Sequence, residues 1–195
     1  MASDASLNKY ESSEDVVGPK CTFERVGEEV IAHVAWSPKF TIDGTIADVW
    51  KYMRDFNLWM EDFHYNCIVG NATDGESIFF VIEKGAHEYY RKEYGFDPTG
   101  FKKSLIVRRN IPGKLIVLEE LSPDSRKLIA YYLWALNEHL GKTTVSGVMS
   151  YAPHWESNVM EEKLRVNYQN MAHNVAERWK TAYIPRLRQW VESGH

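Results

Sequence analysis

Cysteine is scarce: Cys21 and Cys67 are the only two in 195 residues. Two cysteines build no disulfide framework and match no zinc-ligand spacing, so a reduced, cytoplasmic setting is the expectation. Long apolar runs are missing as well. No stretch approaches the roughly 20 apolar residues of a membrane span. The first twenty residues hold no apolar run of the kind a signal peptide carries. Neither sign of charge is in large excess. The net charge is −4 and the isoelectric point is near 6.0, which gives no basic field to hold nucleic acid.

Catalytic signatures are also lacking. There is no His-Glu-x-x-His and no Cys-x-x-Cys to hold zinc, and no Gly-x-Gly-x-x-Gly for a dinucleotide. No Gly-x-Ser-x-Gly elbow presents a serine nucleophile. Gly141-Lys142-Thr143 ends like a phosphate loop, but Leu136 stands where the first glycine is needed, and the run reads as a hairpin. An enzyme with this sequence is expected to use no cofactor and no metal. Its chemistry is then what His, Tyr, Glu and Arg can do: proton transfer, dehydration, aldol steps, and ring closure or opening.

Aromatic residues are abundant: 7 Trp, 11 Tyr and 8 Phe. Such rings either fill a core or line a pocket. Hydrophobic residues at 44% and charged residues at 26% describe an ordinary globular chain. The length suits one domain. Residues 1–24, rich in Ser, Asp and Glu and without periodicity, read as a mobile tail, with the domain spanning 25–195.

Alternating apolar residues predict a first strand over about 29–40, through Ile31, Val34 and Trp36. Asp43 or Thr45 can cap a helix in which Ile46, Val49, Trp50 and Met53 recur at helical spacing. A second short helix is expected over about 56–62. Six further strands fall near 64–71, 77–83, 102–110, 114–121, 126–138 and 142–151. Turn chemistry at 71–75, Pro112-Gly113, 122–124 and Leu140-Gly141 separates them. Short links between successive strands imply an antiparallel meander. Leu164, Tyr168, Met171, Ala172, Val175, Trp179, Leu187 and Trp190 then mark one amphipathic helix over about 157–191. Pro185 should kink it near Tyr183. The expected class is α+β: a seven-stranded curved antiparallel sheet with two short helices and one long C-terminal helix. A bent sheet crossed by a single helix does not close along its whole length, so a cavity between them is expected.

This order, with Thr45-Ile-Ala-Asp-Val-Trp50 ahead of Arg54-Asp55-Phe56-Asn57-Leu58-Trp59, resembles the START-like superfamily, which includes polyketide cyclases and aromatases and the birch-pollen-allergen-like proteins. Leu115-Ile-Val-Leu-Glu-Glu120 and Lys127-Leu-Ile-Ala-Tyr-Tyr132 resemble its central hairpin. The resemblance runs from about residue 29 to 192. It implies a helix-grip fold whose cavity takes small hydrophobic or aromatic molecules, with catalysis in a minority of members. It brings no shared catalytic signature. The link over 84–101 departs from the pattern, being longer than the hairpin turns elsewhere in the chain.

Pairing the last two strands through Leu140-Gly141 sets Trp134 opposite Gly147, Tyr132 opposite Met149 and Ala130 opposite Tyr151. That bulkier, apolar face is expected to point inward. Tyr132, Trp134, Met149, Tyr151, Tyr168 and Met171 are therefore the expected ligand-binding residues. Glycine facing Trp134 either leaves room for a ligand ring or marks close packing. Continuing through Pro112-Gly113 sets Arg109 opposite Ile116, Val107 opposite Leu118 and Leu105 opposite Glu120. Leu118 is matched with Ala130. Arg109 and Glu120 then share the inner face, and a slip of one residue would substitute Arg108 and Glu119. They serve either as a structural ion pair or as polar groups for a ligand.

The long link holds His87, Tyr89, Tyr90, Arg91 and Tyr94. It forms either a solvated helical turn or a flap over a cavity mouth. His87 is the first candidate for a general acid or base, and Tyr90 for binding a substrate oxygen. His64, His154 and His173 are weaker candidates. Catalytic roles are thus assigned to His87, Tyr90, Arg109 and Glu120, in a cofactor-independent lyase, cyclase or dehydratase acting on an aromatic or polyketide-like molecule. The alternatives are a non-catalytic carrier or sensor of a hydrophobic metabolite, and a partner-binding module using the same groove. A homo-oligomer is left open.

Overall fold

The computed structural model describes residues 15–60, 65–69, 75, 77–94, 97–100, 102–121, 128–152, 154–156 and 161–194. The turns over 71–74 and 122–127, the expected helix start at 157–160, and residues 1–14 lie outside these. So does His64.

Every strand expected from residue 29 onward is present. They are β2 (Glu29–Asp43), β3 (Tyr65–Val69), β4 (Ser77–Ile82), β5 (Lys102–Ile111), β6 (Leu115–Leu121), β7 (Leu128–His139) and β8 (Lys142–Tyr151). All pairings are antiparallel, and the class is α+β with a curved, open sheet. Two strands are added. Asp15–Val26, expected within the tail, forms β1 and pairs along β2. His154–Glu156 forms β9 and pairs with the start of β2, where β8 has ended. The order is β1-β2-β8-β7-β6-β5-β4-β3. Strand β1 is not visible as a pattern because it is an edge. Its partner, the 15-residue β2, exposes a full row of donors and acceptors that the preceding chain satisfies by folding back at Gly27, where φ is +62°.

Local chemistry explains the remaining elements. Thr45 caps α1 (Ile46–Met53) through a reciprocal box with Asp48. The Thr45 hydroxyl accepts from the Asp48 N–H, and the Asp48 carboxylate accepts from the Thr45 N–H, both at 3.3 Å. Helix α2 (Phe56–Met60) follows after one break. The tight turn between β7 and β8 has positive φ at both central residues, +52° at Leu140 and +72° at Gly141, which suits the right-handed twist of a hairpin. The expected β7–β8 register holds: Trp134 faces Gly147, Tyr132 faces Met149 and Ala130 faces Tyr151.

The C-terminal helix is not simply kinked. It runs as α4 (Glu161–Arg178), passes through a π-helical turn over Trp179–Tyr183, and continues as α5 (Ile184–Ser193). Pro185 has no N–H, and its ring would strike the carbonyl four residues back. Widening the preceding turn relieves that clash, and the Ile184 N–H bonds the Trp179 carbonyl five residues back. The helix lies closest to β1 and β2 through α4, and to α1 and β2 through α5. Tyr52 of α1 stacks on Trp190 of α5, with ring centroids 5.9 Å apart. Among the described residues, no helix is long and apolar enough to cross a membrane.

Candidate functional site on the inner face of the sheet

The face toward the C-terminal helix is set by alternation. On β2 the even residues from Val30 to Ile42 are buried, on β7 Ala130, Trp134 and Leu136, and on β8 Thr143, Val145 and Met149. Pairing aligns them in rows. One row runs Trp36, Met149, Tyr132, Leu118 and Val107. The next runs Val34, Tyr151, Ala130, Glu120 and Leu105.

The two ends of this face differ. Around Trp134 it is filled. The Trp134 ring lies over Gly147, where a Cβ would fall 2.5 Å from Trp134 Cζ3 and 3.0 Å from Pro38 Cγ. Gly147 thus marks close packing and leaves no room there for a ligand ring. Trp179 then packs on Trp134 at 4.7 Å between centroids, and on Phe40 and Tyr183 at 6.4 and 5.0 Å. Trp134 and Met149 are core residues in this arrangement.

Around Tyr132 the face is polar. The Lys103 ammonium lies 2.7 Å from Glu120 Oε2, with their side chains only 17% and 14% exposed. The Tyr132 hydroxyl donates to the same oxygen at 3.3 Å. The ammonium also stands 5.8 Å from the centroid of the Tyr132 ring, within cation–π range. The register explains the convergence. Leu105 faces Glu120, so Lys103, two residues earlier on the same face, is diagonal to it and reaches it with a long side chain. Tyr132 is the diagonal neighbour of Glu120 from the other side, because Glu120 faces Ala130. Tyr151, half-buried in the Glu120 row, meets Tyr168 of α4 at 6.3 Å. One carboxylate therefore sits between two donors, beside rows that carry Trp36, Met149, Leu118, Val107, Val34, Tyr151, Ala130 and Leu105.

Burial pushes the Tyr132 phenol up to about 12 from its ordinary 10.0. The Glu120 charge adds to the rise and the Lys103 charge opposes it. The folded state thus favours the protonated phenol. The associated stability is fully present below pH 10.0 and is lost as pH rises through about 12. Urea melts of the wild type are expected to lose stability over that window beyond any loss shown by the Tyr132→Phe variant. Equal alkaline losses in the two proteins would show that the hydroxyl is solvated.

Other expected residues fall elsewhere. Arg109 does not reach the inner face, which corrects that assignment. A β-bulge between Val107 and Arg109 inserts a residue, so Arg109 faces Val117 and is exposed, while Asn110 takes the place opposite Ile116. Leu118 likewise faces Tyr132 rather than Ala130, a two-residue shift that keeps the face unchanged. Arg108 pairs with Glu119 at 2.6 Å on the outer face. The link over 84–101 is neither a bare loop nor wholly a solvated turn: a 3-10 turn (Lys84–Ala86) leads into α3 (His87–Tyr94). The His87 ring lies 3.3 Å from the Ile82 carbonyl, and Tyr90 is buried with Ile82 and Ala86 in a small cluster of its own. Ile82 is two residues beyond Phe80, the partner of Lys103, so α3 sits at the same end of the sheet as the Lys103–Glu120 pair. His173 is exposed on α4, and the side chains of His154 and Met171 lie outside the described residues.

Lys103 is the site residue that sequence reasoning missed. The signal was present: the Leu105–Glu120 match already placed Lys103 diagonal to Glu120. Among the described residues, no group of three His, Cys, Asp or Glu could hold a metal ion.

Solved structures share the overall fold of this chain. A protein of unknown function from Staphylococcus aureus has a TM-score of 0.60 at 9% identity, covering 83% of this chain and 95% of its own. A protein from Arthrobacter aurescens has a TM-score of 0.50 at 8% identity, covering 88% and 91%. At such identities the likeness is one of fold. No protein-family model and no curated protein matches the sequence.

Proposed function

We propose that this chain is a START-like domain that binds a small, largely apolar, aromatic molecule against the inner face of its sheet. An oxygen of that molecule meets the Lys103–Glu120–Tyr132 group. The observation that carries this reading is the Glu120 carboxylate, 14% exposed and flanked by Lys103 and Tyr132 among aromatic residues. A structural ion pair alone gains little over an apolar replacement. A group that can both donate and accept, set in an apolar wall, suits recognition of one polar atom on an apolar ligand. The element order and the segments 45–50 and 54–59 support the family, and the likeness to the S. aureus protein supports the fold.

Turnover is a second reading, favoured by the same carboxylate. Glu120 would take a proton from a carbon beside a ligand carbonyl, while Lys103 and Tyr132 would hydrogen-bond the developing enolate oxygen. That is lyase or cyclase chemistry without a cofactor. His87 and Tyr90 would act only if α3 closes toward Lys103.

Native mass spectrometry of protein purified without denaturation tests the binding reading. The wild type is expected to retain a small molecule, and the Glu120→Gln, Tyr132→Phe double variant to lose at least about tenfold in occupancy. Equal retention by the two proteins would place the ligand elsewhere.

A further inference from the structure

The sheet ends at β1, and among the described residues no strand pairs along its other side. An edge of this kind is a template for a further strand, and proline, bulges or charge blunt it. Here Pro19 and the irregularity between Val17 and Lys20 blunt only the first part of β1. From Lys20 to Val26 the pairing with β2 is regular, and Lys20, Thr22, Glu24, Arg25 and Val26 are exposed.

Alternation divides this stretch into two faces. Cys21 faces Val34 and Phe23 faces Ala32, so both lie on the inner face and pack against the core. Lys20, Thr22 and Glu24 lie on the outer face. Opposite charges thus stand at equal spacing on either side of Thr22, which makes the segment its own complement. When two copies run antiparallel about a two-fold axis through Thr22, Lys20 faces the partner's Glu24, Cys21 faces the partner's Phe23, and Thr22 faces the partner's Thr22. Opposite charges directly across strands stabilise such a pair, and like charges weaken it. The smallest slip that keeps each face together is two residues, and it sets Lys20 against the partner's Thr22 or the partner's Val26, with no ion pair. The paired stretch stops at Pro19, which has no N–H to give. His33 Nε2 lies 3.2 Å from one Glu24 oxygen, and the Glu24 side chain is 62% exposed, so the carboxylate can still reach the partner's Lys20.

We propose that β1 is a homodimer interface, in which two copies pair β1 to β1 about Thr22 and join their sheets into one, with a Lys20–Glu24 ion pair on each side of the axis. This surface is separate from the inner-face site and does not depend on what that site binds.

Sedimentation velocity of the full chain tests it. A paired stretch this short belongs with small interfaces, so dimers are expected with a dissociation constant of about 10–100 μM. Lys20→Glu and Glu24→Lys each set like charges against one another on both sides of the axis, and each should weaken the dimer about tenfold or more. One variant then carries two acids and the other two lysines. Mixed together they should form a heterodimer at least as tight as the wild-type dimer. Under mild oxidation Thr22→Cys should crosslink to itself across the axis, while native Cys21 should not. That crosslink also serves if a charge reversal unfolds the chain. A wild type that stays monomeric to about 1 mM overturns the proposal. So does an assembly larger than a dimer, a dimer indifferent to both reversals, a mixture that fails to associate, or crosslinking through Cys21 instead.

Discussion

Replacing Trp179 by alanine is expected to destabilise the protein by about 3–5 kcal/mol. Trp179 opens the π-helical turn and is 6% exposed. Its ring touches Trp134 on β7, Phe40 on β2 and Tyr183 on the next turn. Those contacts tie the sheet to the helix where α4 gives way to α5. A cavity of indole size there does not collapse, because the surrounding residues belong to three separate elements held by backbone hydrogen bonds. Urea denaturation measures the loss, and the thermal midpoint should fall by roughly ten degrees or more. A change under about 1 kcal/mol would mean that the helix is not anchored on Trp134.

The Lys103→Met variant should lose about 2–3 kcal/mol, far more than an exposed ion pair supplies. Removing the ammonium leaves the Glu120 carboxylate shielded from water, with Tyr132 as its remaining hydrogen-bond donor among the described partners. Glu120→Gln alone should cost less, because a neutral amide still accepts from both Lys103 and Tyr132. Combining the two substitutions should recover most of the Lys103→Met loss. A double-mutant cycle would then read a coupling above about 1 kcal/mol. Additive effects, or a Lys103→Met loss below about 0.5 kcal/mol, would identify the pair as a solvated surface contact. The proposed binding site would then lack its polar end.

The success of the sequence in predicting strands has a local cause. Alternation along β2, β7 and β8 reports burial of one face, and Leu140-Gly141 closes a two-residue turn that admits one register. The α1 cap at Thr45 is local too, as donor and acceptor lie three residues apart. The same alternation assigns Glu120, Tyr132 and Tyr151 to the inner face, in agreement with their cross-strand partners Ala130 and Met149.

Other features depend on partners distant in sequence. The pairing of β1 with β2, and of β2 with β8, depends on which strand edge remains open once the meander has formed. The bulge after Val107 is visible only when cross-strand hydrogen bonds are counted. A single inserted residue turned Arg109 outward and left Lys103 as the cation beside Glu120. By itself the sequence determined strands β2 to β8, the α1 cap and the Leu140-Gly141 turn, because periodicity and turn chemistry act over a few residues. Tertiary structure alone decided which cation meets the carboxylate and where Trp179 seals the sheet, because side-chain direction along a strand reverses with every residue, and register is settled by the neighbouring strand.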